Sequence, residues 1–156
     1  MIMQIKKLLN IPGTCEDFDF TVPEERLALV RSCEFASPVQ VTGSIANHAG
    51  VVTLSLHISF SLLVTCDRCL KQTVQAFSYH PEHIVVRRLE NPEEDEENYI
   101  IAKAESIDLA EIALSDLLLE LPTKMLCKED CKGLCPVCGC DKNTTECDCM
   151  SQILFE

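Results

Sequence analysis

Residues 51–66, VVTLSLHISFSLLVTC, leave this chain little choice of fold. Val52, Leu54, Leu56, Ile58, Phe60, Leu62 and Val64 occupy every second position, with Thr53, Ser55, His57, Ser59, Ser61 and, less cleanly, Leu63 between them. Successive side chains of a strand point to opposite faces, so this period of two predicts one long, half-buried antiparallel strand. VQVTGSIA alternates in the same way before it, and Asn47-His48-Ala49-Gly50 reads as the turn between the two. LKQTVQAFSY and HIVVRR read as two later strands, with Cys66-Asp-Arg-Cys69 at the bend. FDFTV near residues 18–22 is a weaker strand, and PEERLALVRS a short helix started by Pro23.

One clear helix follows. Asp108 with Glu111 three residues on resembles a capping box, and Ile107 and Ile112 occupy the staple positions. Ala110, Ala113, Leu114, Leu117, Leu118 and Leu121 then form an apolar stripe that should pack on the sheet, leaving Leu109, Ile112 and Leu119 off it. Pro122 ends the helix. The fold class is therefore α+β: an antiparallel sheet or partly open β-barrel, one main amphipathic helix, and a C-terminal Cys-rich tail with a zinc-knuckle sequence. Residues 1–122, including the helix at 108–121, make the β-rich body. Residues 123–156 make the tail, packed on that body as one domain.

The tail concentrates thiols. Seven of the eleven cysteines lie in CKEDCKGLCPVCGCDKNTTECDC, residues 127–149. MIMQIKKLLNIPG has no apolar h-region or small-residue cleavage site, and no apolar run reaches the ~20 residues of a spanning helix, so a cytoplasmic protein away from the membrane is expected. In a reducing compartment, closely spaced cysteines serve as metal ligands or redox thiols rather than structural disulfides, and an odd count agrees. Cys135-Pro-Val-Cys138-Gly is a knuckle whose two thiolates can grip one ion from the same side. Gly139 allows the positive φ that turns backbone N–H groups toward sulfur. Tetrahedral Zn2+ needs four ligands, so the sequence pairs Cys135 and Cys138 with Cys66 and Cys69, as in zinc ribbons. Cys127, Cys131, Cys147 and Cys149 make a second set, for one or two ions in all, and Cys140 is a spare or a competitor for either site. An Fe–S cluster or free redox thiols are the other readings of the same residues. Lys124, Lys128, Lys132 and Lys142 would partly offset tetrathiolate charge, while Cys15 and Cys33, which have no paired spacing, are expected to be buried as small hydrophobes.

Charge and missing motifs exclude other classes. The net charge is −12, but residues 1–89 carry eight acids and eight bases, residues 90–121 eleven acids against Lys103 alone, and residues 122–156 the remaining −2. NPEEDEEN at 91–98 reads as a solvated acidic loop, with an acidic handle for a basic partner as its functional alternative. A basic stripe of the kind that tracks a phosphate backbone is absent. The sequence holds no glycine-rich phosphate loop, no H-E-x-x-H and no G-x-S-x-G, and none of His48, His57, His80 and His83 is placed as the base of a cysteine nucleophile. No enzyme and no small-molecule substrate are expected.

CDRCL at 66–70, DLAEIALSDLLLELP at 108–122, and CKEDCKGLCPVCG with its terminal C-D-C together resemble the bacterial YceD family, named for large ribosomal RNA subunit accumulation. The resemblance covers about residues 35–149. It implies a non-enzymatic factor that supports 23S rRNA levels and large-subunit assembly. It also implies that Cys66, Cys69, Cys127, Cys131, Cys135, Cys138, Cys147 and Cys149 are the metal-site positions, while Cys140 departs from the family pattern. With its acid concentrated in one segment, the chain suits ribosomal proteins or large-subunit assembly factors as partners better than naked rRNA. Direct 23S rRNA binding through Arg87, Arg88 and the tail lysines is the runner-up, and a thiol redox sensor or oxidoreductase is the alternative from another class.

Overall fold

The computed structural model of the chain describes residues 1–28, 30, 34–88 and 99–149. The acidic segment at 91–98 and Cys33 lie outside these residues. The alternating run becomes β5 (Val51–Thr65), a 15-residue strand that buries its even-numbered residues. Its length lets four partners share its two edges. On one edge β4 (Gln40–His48) pairs with residues 51–59 and β3 (Glu34–Phe35) with Leu62 and Leu63. On the other, β6 (Gln72–Tyr79) takes residues 58–65 and β7 (Glu82–Val86) takes residues 52–55, all antiparallel.

β2 (Cys15–Thr21) extends the sheet beyond β4, and β8 (Tyr99–Ile101) extends it beyond β7. The sheet stays open and does not close into a barrel. Its β7–β8 pair is parallel, and residues 87–98 between them have the length that a parallel crossover needs. The β4–β5 turn is tight because Ala49 and Gly50 both adopt positive φ, 52° and 96°, as a hairpin matched to strand twist requires. Asn47 secures it: Oδ1 accepts from the Gly50 N–H at 2.8 Å, and buried Nδ2 donates to the Leu8 carbonyl at 2.6 Å.

The even face of β5 meets the helices. α1 (Lys6–Asn10) and α2 (Glu24–Leu27) are short, and α3 (Leu109–Glu120) is the main one. Asp108 caps α3 by accepting from the Ala110 N–H at 3.1 Å. The same carboxylate binds Arg26 Nη2 at 2.7 Å.

The buried stripe of α3 is rotated from the one the sequence predicts. Leu109 is fully buried with Ala110, Ala113 and Leu117, whereas Leu118 is 44% and Leu119 81% exposed. Asp116 lies on this buried side, where His83 of β7 reaches it, Nε2 to Oδ2, at 2.8 Å. A polar residue at a core position is tolerated when it has a hydrogen-bond partner. β1 (Ile2–Gln4) and its partner β9 (Ser106–Asp108) form a small second sheet at the start of α3. Cys15 is exposed rather than buried, because odd-numbered residues of β2 point away from the core.

Candidate metal centre

The bend after β5 is built to hold a pair of sulfurs. Cys66 and Cys69 are buried, the Leu70 N–H donates to the Cys66 carbonyl at 2.9 Å, and Leu70 takes a positive φ of 59°. The knuckle at Cys135 repeats this: Gly139 has φ 72° and its N–H donates to the Cys135 carbonyl at 2.9 Å. Glycine marks the second knuckle in the sequence, whereas a leucine in the left-handed region conceals the first.

The tail docks on the Cys66–Cys69 bend. Asp67 exchanges two hydrogen bonds with Met125, its N–H to the Met125 carbonyl at 2.8 Å and its Oδ2 from the Met125 N–H at 2.7 Å. Arg68 Nη1 donates to the Cys131 carbonyl at 2.9 Å, and the Arg68 carbonyl accepts from the Leu134 N–H at 3.0 Å. Gln75 on β6 donates to the Leu126 carbonyl. Gly133 passes so close that a Cβ there would stand 2.9 Å from the Arg68 carbonyl oxygen.

These contacts sort the eight cysteines into two quartets. Cys66, Cys69, Cys127 and Cys131 have mutual Sγ distances within 4.8 Å, and so have Cys135, Cys138, Cys147 and Cys149. The sequence pairs CPVCG with CDRC, but the structure joins CDRC to CKEDC and closes CPVCG with the terminal C-D-C. The correction has a geometric reason. Docking at Asp67 and Arg68 brings residues 125–134 over the bend, so Cys127 and Cys131 reach Cys66 and Cys69 first. Cys140 belongs to neither quartet.

The donor set suits a thiophilic divalent cation. Sulfurs about 2.3 Å from a tetrahedral ion sit about 3.8 Å apart. Cys66 to Cys131 is 3.8 Å and Cys69 to Cys127 is 3.6 Å. All the described cysteines are free thiols.

Electrostatics favour thiolates at defined positions. The Cys127 N–H pulls the Cys66 thiol down to about 6 against burial, helped by the N–H groups of Cys69 and Arg68. Cys135 falls to about 6 through the N–H groups of Cys138 and Val137. Burial raises Cys131, but the Asn143 side chain and the Gly133 N–H outweigh it and its pKa is lowered. Burial and neighbouring sulfurs push Cys127 up to about 12, and hydrogen bonds to Cys138 help lift Cys149 equally far. Each quartet thus pairs two thiols whose pKa is lowered, Cys66 with Cys131 and Cys135 with Cys138, with others that are raised, among them Cys69, Cys127 and Cys149.

The histidines lie elsewhere. His57 stacks on His80 with ring centroids 4.3 Å apart and approaches Ser78 Oγ at 2.9 Å on an exposed face, while His83 binds Asp116. Arg87 donates to Asn10 Oδ1. None of the described helices is long and apolar enough to cross a membrane.

A family model described as large ribosomal RNA subunit accumulation protein YceD matches residues 54–153, well over half the chain. YlbN of Bacillus subtilis is similar at 28% identity over 139 residues, 88% of this chain and 80% of that protein. Proteins of Mycobacterium bovis and Mycobacterium tuberculosis are 44% identical over 50 residues, 32% of this chain and 23% of each of them. No solved structure matches the chain.

Proposed function

Because the chain belongs to the YceD family, whose name ties it to accumulation of the large ribosomal subunit RNA, we propose that it acts without catalysis, as a zinc-stabilised adaptor in large-subunit assembly. The observation that carries this reading is the Cys66–Cys131 quartet, which draws two sulfurs from the sheet and two from the tail. Zn2+ held by four thiolates has no open position for substrate, so its role here is to fix structure. The ion would fasten residues 123–149 to the body as one domain, with the second quartet shaping the end of the tail. All eight cysteines serve as ligands, one ion to each quartet.

The partner of such an adaptor is a basic ribosomal protein or assembly factor in the bacterial cytoplasm, met by the acidic segment at 90–121. Direct binding to 23S rRNA through Arg87, Arg88 and the tail lysines is the competing reading. Co-sedimentation separates the two. The adaptor should travel with pre-ribosomal particles and not with protein-stripped 23S rRNA. Binding to stripped rRNA with a steep salt dependence would sink the adaptor reading. In cells lacking the protein, the wild-type chain should restore the ratio of 23S to 16S rRNA and Cys66→Ser/Cys69→Ser should not.

A further inference from the structure

We propose that Asn143 couples the two quartets, so that filling the Cys135–Cys149 set tightens the Cys66–Cys131 set. The coupling rests on the two-site reading above and specifies how the sites depend on each other. Asn143 lies between the CPVCG knuckle and the Cys147-Asp148-Cys149 pair, so both ends of its loop are fastened by members of the second quartet. Its carboxamide nevertheless serves the first. Nδ2 donates to Cys131 Sγ at 3.4 Å, and Oδ1 accepts from the Lys132 N–H at 2.9 Å.

Local hydrogen bonds set this orientation. Asp141 Oδ1 accepts from both the Asn143 N–H, at 2.9 Å, and Nδ2, at 2.7 Å. The Lys142 N–H donates to the Gly133 carbonyl at 3.0 Å, and Leu134 bridges Asp141. The loop is thus laid along the strip of chain that joins the quartets.

An N–H donor to a ligating sulfur disperses tetrathiolate charge and holds the ligand in place. Cys131 receives this donor only while the 139–146 loop keeps its shape. An ion at the second quartet closes the loop from both ends, whereas an empty quartet leaves it to turn hydrogen bonds alone. Outer-shell donors of this kind are worth about 10–100-fold in metal affinity. Thermodynamic reciprocity requires the first ion to tighten the second by the same factor.

The test uses the full chain, reduced, titrated with Co2+ against a competing chelator. Thiolate-to-cobalt charge-transfer bands report tetrahedral sulfur ligation. The wild type should bind two ions cooperatively. Asn143→Asp keeps Oδ1 for Lys132 but removes the amide donor. It should still bind two ions, with first-quartet affinity down about tenfold or more and that quartet's charge-transfer band shifted. In a Cys66→Ser/Cys69→Ser background, the same change should leave second-quartet affinity unaltered. Cys135→Ser/Cys138→Ser should impose a similar loss on the first quartet, with little further loss when Asn143→Asp is added.

Unchanged first-quartet affinity in Asn143→Asp or in Cys135→Ser/Cys138→Ser overturns the coupling and leaves two independent sites. A wild-type chain that takes up no Co2+ overturns both the coupling and the two-site reading.

Discussion

Cys66 and Cys131 hold their sulfurs 3.8 Å apart although 65 positions separate them in the chain. The first ends the longest strand and the second belongs to the tail. Cutting this contact should release the tail without unfolding the body, because β5 and α3 pack through a separate set of apolar residues. Cys66→Ser should therefore leave the far-ultraviolet circular dichroism nearly unchanged while residues 123–149 become sensitive to limited proteolysis. Cleavage no faster than in the wild type would refute the clasp.

Gly133 tests the same clasp without touching a sulfur. Its φ is 73°, and a Cβ would press on the Arg68 carbonyl that accepts the Leu134 N–H. Gly133→Ala combines left-handed strain of about 1–2 kcal/mol with that clash. It should weaken metal retention in a chelator challenge more than it lowers the unfolding midpoint of the body. Equal effects on both would mean that tail and body unfold together.

The His83–Asp116 contact joins β7 to the main helix. His83→Ala strands a mostly buried carboxylate, at a cost of about 1–3 kcal/mol in urea unfolding. Adding Asp116→Ala should then cost little more, because the interaction is already lost. Full additivity in the double-mutant cycle would deny the pairing.

Asp108 gives a pH signature. Burial pulls its pKa up, but hydrogen bonds from Arg26 and the Met1 amino group win and hold it at about 2, below the ordinary 3.8. A carboxyl depressed on folding stabilises fully above its unfolded pKa and loses that contribution as pH falls through its folded one. Asp108→Asn keeps a good cap but loses the charge, so it should be less stable than wild type by about 1 kcal/mol at neutral pH, with the gap closing from about pH 4 towards 2. A gap that stays constant across that range would assign the loss to shape rather than charge.

Period-two and period-3.6 patterns made β4, β5, β6 and α3 legible, because each buries one face along enough residues for alternation to register. β1, β3, β8 and β9 escaped because two or three residues cannot display a period. The buried face of α3 includes Asp116, which meets His83 in a long-range pairing that no local pattern encodes. The eight cysteines stood out by spacing, yet their division into quartets did not. It depends on the docking of Met125 and Leu134 against Asp67 and Arg68, and on a knuckle turn supplied by Leu70 where glycine would have advertised it.

Native mass spectrometry with elemental analysis of freshly purified, reduced protein tests the central claim most directly. Two Zn2+ per chain are predicted, falling to one in Cys66→Ser/Cys69→Ser and to one in Cys135→Ser/Cys138→Ser. A wild-type chain that carries no metal, or a single ion that survives unchanged in either double variant, would contradict it.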